Sequence, residues 1–206
     1  MSESLKKVYI DGEIVDFQGS APATAMEVWS LLEQFLGQSA LLIENMRVDG
    51  NDWMPGANAD SASYETIEAF SITQEGKVAQ IVDELLGQRS LLEERWRNCA
   101  REVLSRPWTS FQNDGVELLN ATQPLVQSLG VLVAYSKDCD AVWSRVLESV
   151  AERLNASLGL LLDAFEASDC VVFSDVAERG ILANVSEAFR ILNDDVAPKL
   201  ESGTQG

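Results

Sequence analysis

The sequence predicts an α+β protein: a small strand-and-helix module followed by a long antiparallel bundle of four helices. Three observations predict it. Two Asp-Gly pairs, Asp11-Gly12 and Asp49-Gly50, each lie between apolar stretches. Near Thr73 the hydrophobic period changes from two to about three and a half. Beyond that point, four apolar stripes are separated only by short breaks near Arg106-Pro107, Lys137-Asp138 and Ser168-Asp169. The expected domains are residues 1–74 and 75–201, with a flexible tail at 202–206.

Lys7–Ile10 and Glu13–Phe17 are expected as two strands joined by Asp11-Gly12, a pair suited to the positive φ angles of a two-residue type I′ turn. Gly19 and Pro22 then interrupt the chain. Thr24 followed three residues later by Glu27 is a capping box, and it predicts a helix from Thr24. Val28, Leu31, Leu32 and Phe35 form its expected buried stripe, and Gly37 its end. Leu41–Val48 is a third strand. The stretch 53–63, rich in small and turn-forming residues, is a loop. Tyr64–Ile72 is the last strand.

In the helical part, Val78, Ile81 or Val82, Leu85, Leu92, Trp96, Cys99 and Val103 recur on one face. Phe111, Leu118, Thr122, Leu125, Leu129 and Leu132 mark a second helix. Trp143, Val146, Val150, Leu154, Leu158, Leu161 and Phe165 mark a third, and Val172, Val176, Leu182, Val185, Phe189, Leu192 and Val196 a fourth. Short connections between long helices force antiparallel neighbours, so an up-down bundle follows. Each helix would be roughly 40 Å long. Pro124 lies inside the second helix and is expected to kink or split it, because it lacks the N–H a helix interior needs.

The first module resembles the β-grasp superfamily, which includes ubiquitin and the small sulfur-carrier proteins. VYIDGEIVDF matches its opening hairpin, TAMEVWSLLEQFLG its helix, and LLIENMRVDGNDW and YETIEAFSI its returning strands. The resemblance covers about a third of the chain and implies a compact recognition module. In the carrier members the chain ends in Gly-Gly after the last strand. Here Ser71–Gly76 has no such pair and runs on into helix, which disfavours a ubiquitin-like carrier function.

The chain has no histidine. Ser-His-Asp and Cys-His nucleophile pairs, and metal sites that need imidazole, are therefore impossible within it. This weighs against an enzyme. Cys99, Cys139 and Cys170 are odd in number and widely spaced, so they are expected as free, semi-buried thiols in a reducing cytoplasm. The net charge is −18, of which residues 1–75 account for −10 with three basic and thirteen acidic side chains. Such a surface repels phosphate backbones and anionic lipid, so nucleic acid and membrane are poor partners. No apolar run is long enough to span a membrane.

Four residues are the candidate partner-binding sites. Trp53 in its loop and Trp108 at a helix junction are possible exposed anchors, since Trp is enriched in binding hot spots. Arg97 and Arg101, four apart within an arginine-rich stretch, share one helix face. The carboxylate pairs Asp138/Asp140, Asp169/Asp175 and Asp194/Asp195 lack an EF-hand pattern, and Asp138, Asp169 and Ser174 fit better as helix-start caps. No cofactor is expected. The functional expectation is a non-catalytic interaction protein (adaptor, chaperone or assembly factor) whose partner is another protein, with a homodimer possible. The alternative is an enzyme or small-ligand or anion binder with an arginine and carboxylate site at the domain junction.

Overall fold

The computed structural model describes residues 6–17, 19–56, 63–139 and 141–203. Part of the expected 53–63 loop, Asp140 and the end of the expected tail lie outside the described residues. The chain divides into two compact units, Met1–Lys77 and Val78–Gly206.

The first unit is a five-stranded mixed sheet crossed by one helix. Its strands are β1 (Lys7–Ile10), β2 (Glu13–Ile14), β3 (Leu41–Val48), β4 (Asn51–Trp53) and β5 (Thr66–Thr73), in the order β2-β1-β5-β3-β4. The central pair, β1 and β5, is parallel and the other pairs are antiparallel. Helix α1 (Ala25–Gly37) connects β2 to β3.

Both Asp-Gly pairs form tight turns with positive φ at each position: 51° and 84° at Asp11 and Gly12, 50° and 80° at Asp49 and Gly50. The aspartates have a second task. Asp11 Oδ1 accepts from the Ser71 N–H at 2.9 Å, and its Oδ2 accepts from the Ser71 hydroxyl at 2.7 Å. Asp49 Oδ1 accepts from the N–H groups of Glu65 at 3.0 Å and Thr66 at 2.7 Å. Each turn thus pins one end of β5, the strand that holds the sheet together. A Gly would satisfy the turn geometry without making either tie.

The capping box at α1 forms as expected: Thr24 Oγ1 accepts from the Glu27 N–H, and Glu27 Oε2 accepts from the Thr24 N–H, each at 3.2 Å. Ala25, Val28 and Leu32 pack with Val8, Met46, Tyr64, Ile67 and Ala69, and Leu36 is also buried. Gly37 ends α1 as expected, and the left-handed residue of the exit is Ala40, φ 54°. Three expectations are corrected here. The second strand is only two residues long, so Val15–Phe17 is not paired strand. Trp53, expected as the start of a loop, instead ends a further strand, β4, which pairs with β3. Finally, Leu31 and Phe35 are outside the buried stripe.

The second unit contains most of α2 (Gln74–Glu102), then α3 (Trp108–Asp138), α4 (Ser144–Glu166) and a final helical rod from Cys170 to Gly203. Trp108 and Phe111 at the start of α3 meet Phe165 at the end of α4 and Phe173 at the start of the rod. The Ser174 hydroxyl donates to the Ala100 carbonyl near the end of α2 at 2.6 Å. One end of the bundle therefore collects two helix ends and two helix starts, the up-down arrangement expected of short connections.

Pro124 does not split α3, which runs unbroken through it. Pro124 and Asn120, whose carbonyl loses its helical donor, are both exposed, so water can satisfy that carbonyl. The final rod departs more from expectation. It is α-helical at α5 (Cys170–Asp175), α6 (Ala183–Ile191) and α7 (Ala197–Gly203), with π-helical stretches at Val176–Leu182 and Leu192–Val196. Its buried positions Phe173, Ala177, Ile181, Val185 and Phe189 recur every four residues. In a regular α-helix that spacing drifts off one face; the wider π turns hold it in line. The stripe therefore begins at Phe173, Ala177 and Ile181, not at Val172, Val176 and Leu182. In α4, Leu147 is buried where Val146 was expected, and Val146 is exposed.

Candidate functional site: an apolar groove with an acidic rim

The short β2 leaves one flank of α1 uncovered. Between that flank and the β1–β2 hairpin runs a groove of about 780 Å³, lined by Ile10–Phe17 on one wall, Leu31, Leu32, Phe35 and Leu36 on the other, and Leu41 at the end; Gly12 alone in the hairpin does not line it. Its mouth holds three large exposed apolar side chains: Ile14 at 65% exposure, Phe35 at 61% and Leu31 at 46%. Isolated exposed apolar residues are ordinary, whereas three gathered at one groove mark a surface suited to association.

The strand wall is also the edge of the sheet, since β2 is the terminal strand. Ile10 pairs with Glu13, Tyr9 pairs with Ile14, and the Val15 N–H donates to the Val8 carbonyl at 2.8 Å. Alternation in an antiparallel ladder then directs the backbone groups of Ile14 away from β1, toward the open edge. Exposed backbone edges of this kind are templates for another chain.

The rim is acidic. Asp11, Glu13 and Asp16 line the groove, and none of its described lining residues is basic. The two hydrogen bonds from Ser71 hold the Asp11 carboxyl below the usual carboxylate range, so it remains charged and fixed in place. Two of the unit's few cations are engaged elsewhere. Lys6 Nζ donates to the Pro22 and Ala23 carbonyls and lies over the Tyr64 ring, and Arg47 pairs with Asp52. The last turn of α1, which borders the groove through Phe35 and Leu36, carries no basic residue to offset the partial negative charge of its helix terminus.

The residues singled out in the sequence lie elsewhere. Trp53 is half-buried at the end of β4, its ring 5.9 Å from that of Trp29, so it packs within the first unit instead of standing out from a loop. Trp108 is half-buried in the aromatic cluster, with ring distances of 5.5 Å to Phe111, 5.1 Å to Phe165 and 5.9 Å to Phe173. Its indole N–H is buried without a hydrogen-bond partner among the described residues. Arg97 and Arg101 are exposed on α2, and neither forms an ion pair among the described residues. Arg89 pairs with Glu93, while Arg106 pairs with Glu102 and Asp114. What the sequence reading missed was Ile14, Leu31 and Phe35. The signal was present, because the apolar arc of α1 is wider than one stripe facing a sheet requires.

The remaining chemistry-bearing groups among the described residues are dispersed. Arg95, Asn98, Glu102, Asp114 and Glu117 line a cleft of only about 200 Å³ beside Cys99, below the usual size of small-molecule pockets. Cys99 is buried, and desolvation with the nearby carboxylates of Glu102 and Asp114 pushes its thiol up to about 12, away from nucleophilic character at neutral pH. Cys139 is exposed and Cys170 half-buried, so the thiols are not uniformly semi-buried. Asp169 does cap a helix, accepting from the Val171 and Val172 N–H groups. Asp138 instead ends α3, and Ser174 lies inside the final rod with its hydroxyl committed to Ala100. No group of potential metal ligands gathers among the described residues, and no described helix is long and apolar enough to cross a membrane.

No family model matches the chain, and neither a curated protein nor a solved structure matches it significantly.

Proposed function

We propose that this protein is a non-catalytic adaptor, chaperone or assembly factor of the cytoplasm that holds another protein in the groove of its strand-rich unit. The observation that carries this reading is the grouping of Ile14, Leu31 and Phe35, all exposed, along a sheet edge that no other described strand pairs. Two recognition modes are available together there: apolar side chains to bury, and backbone groups to pair. The helical unit serves in this reading as a stable body. Its aromatic cluster and buried stripes account for most of its large apolar side chains.

Site-specific photo-crosslinking in host cells tests the reading. A crosslinking amino acid at position 14 or 35 of the full chain is expected to capture the same protein, while one at exposed Glu178 captures none. Equal capture from all three positions, or none from positions 14 and 35, would overturn the assignment of the groove.

A further inference from the structure

We infer that the occupant of this groove is a short apolar segment of a partner protein flanked by lysine or arginine; this rests on the docking role proposed above. The apolar walls alone do not choose a partner, but the rim does. Asp11, Glu13 and Asp16 stand along the strand wall with no lining cation to offset them. Glu13 and Asp16 are exposed and make no ion pair among the described residues, and Asp11 is held charged by Ser71. The C-terminal turn of α1 adds partial negative charge on the facing wall. Burying apolar surface beside these groups is opposed by an acidic flank and assisted by a basic one. The same argument disfavours a second copy of this chain. Two such grooves would bring acidic rims together on molecules that each carry a net charge of −18.

The outward backbone groups of Ile14 suit an extended segment. Alternate side chains would enter between Ile14 and the Leu31–Phe35 flank. Its flanking cations would reach Glu13 and Asp16 at the strand wall and Asp11 at the hairpin.

Two synthetic peptides test this against the full chain. They share a Val-Ile-Val-Leu centre; one is flanked by lysines and the other by glutamates. The lysine peptide is expected to bind at least about tenfold more tightly, and more weakly as salt is raised. Its NMR shifts should centre on Ile14, Leu31 and Phe35, and Phe35→Ser should abolish them. Glu13→Lys with Asp16→Lys, both at exposed positions, should reverse the preference. Equal affinity for the two peptides would overturn the basic-partner inference, and so would shifts scattered over the acidic surface that survive Phe35→Ser. So too would self-association in sedimentation that Phe35→Ser removes, since that makes the occupant a second copy. If crosslinks from positions 14 and 35 still capture a heterologous partner while the lysine peptide fails, the docking role stands and the charge class of the partner falls.

Discussion

Helix α1 and the final helical rod handle a surplus of apolar residues in opposite ways. In the rod, the backbone departs from α-helical geometry twice, and Phe173, Ala177, Ile181, Val185, Phe189, Leu192 and Val196 are all fully buried. In α1 the backbone stays regular, and Leu31 and Phe35 are left in solvent beside a strand that ends too soon to cover them. Longer pairing of β2 would have supplied cover. The difference lies in the cover each receives: the rod's stripe from Phe173 to Val196 is enclosed by its own unit, whereas Leu31 and Phe35 lie beside a strand of two residues.

A polar network accompanies the first π stretch. Arg153 on α4 donates from Nε to Asn184 Oδ1 at 3.1 Å and from Nη2 to Glu187 Oε2 at 2.6 Å. Asn184 Nδ2 donates to the Gly180 carbonyl at 2.8 Å, and Ser157 lies against Gly180. These bonds tie α4 to the widened turn and help hold the register of the buried stripe.

The largest effect expected from breaking the comparison is at Phe189. Phe189→Ala should cost about 3–5 kcal/mol in denaturant unfolding, because a fully buried ring leaves a cavity, whereas Phe35→Ala should stay within about 0.5 kcal/mol. A large loss at Phe35 would show that its exposure had been misassigned. Next comes Gly180→Ala. A methyl group there would stand 3.0 Å from Ser157 Oγ and 3.1 Å from its Cβ, so a cost of about 1–3 kcal/mol is expected from overpacking.

Cys99 gives a pH test confined to the helical unit. Burial raises its thiol to about 12, above the unfolded value, so between those two the folded protein keeps a proton that the unfolded chain releases. The stability from this group is full below the ordinary thiol range and is lost as pH rises toward 12. Cys99→Ala should flatten that alkaline loss in unfolding curves; an unchanged slope would contradict the assignment. The smallest effect belongs to the groove rim. Ser71→Ala should return the Asp11 carboxyl toward its ordinary range, seen in a carboxyl NMR titration. Here the folded value is lowered, so the stability it gives is present above the ordinary carboxylate range and is lost in acid, as pH falls through the folded value.

Much of the fold was legible in local chemistry. Thr24 and Glu27 announce α1, the two Asp-Gly pairs announce their turns, and the apolar stripes of α2 and α3 lie where their spacing places them. What escaped depends on contacts distant in sequence. The end of β2 is set by how far β1 can pair with it, and nothing within Glu13–Phe17 marks that limit. The phase of the final rod depends on π turns that an α-helical period cannot represent. Trp53 and Trp108 were singled out as anchors by residue type, but Trp29 and the phenylalanine cluster engage their rings. The groove itself was half legible, since the wide apolar arc of α1 is visible in sequence and the missing cover is not.

The most direct test of the central claim measures binding and stability together in the full chain carrying Phe35→Ser. With the partner captured by crosslinking, the account predicts at least about a tenfold loss of affinity with an unfolding midpoint close to that of the unmodified protein, because truncating a central anchor costs binding while an exposed ring contributes little to folding. Unchanged affinity together with a clear drop in the midpoint would contradict it, and would make Phe35 a structural residue.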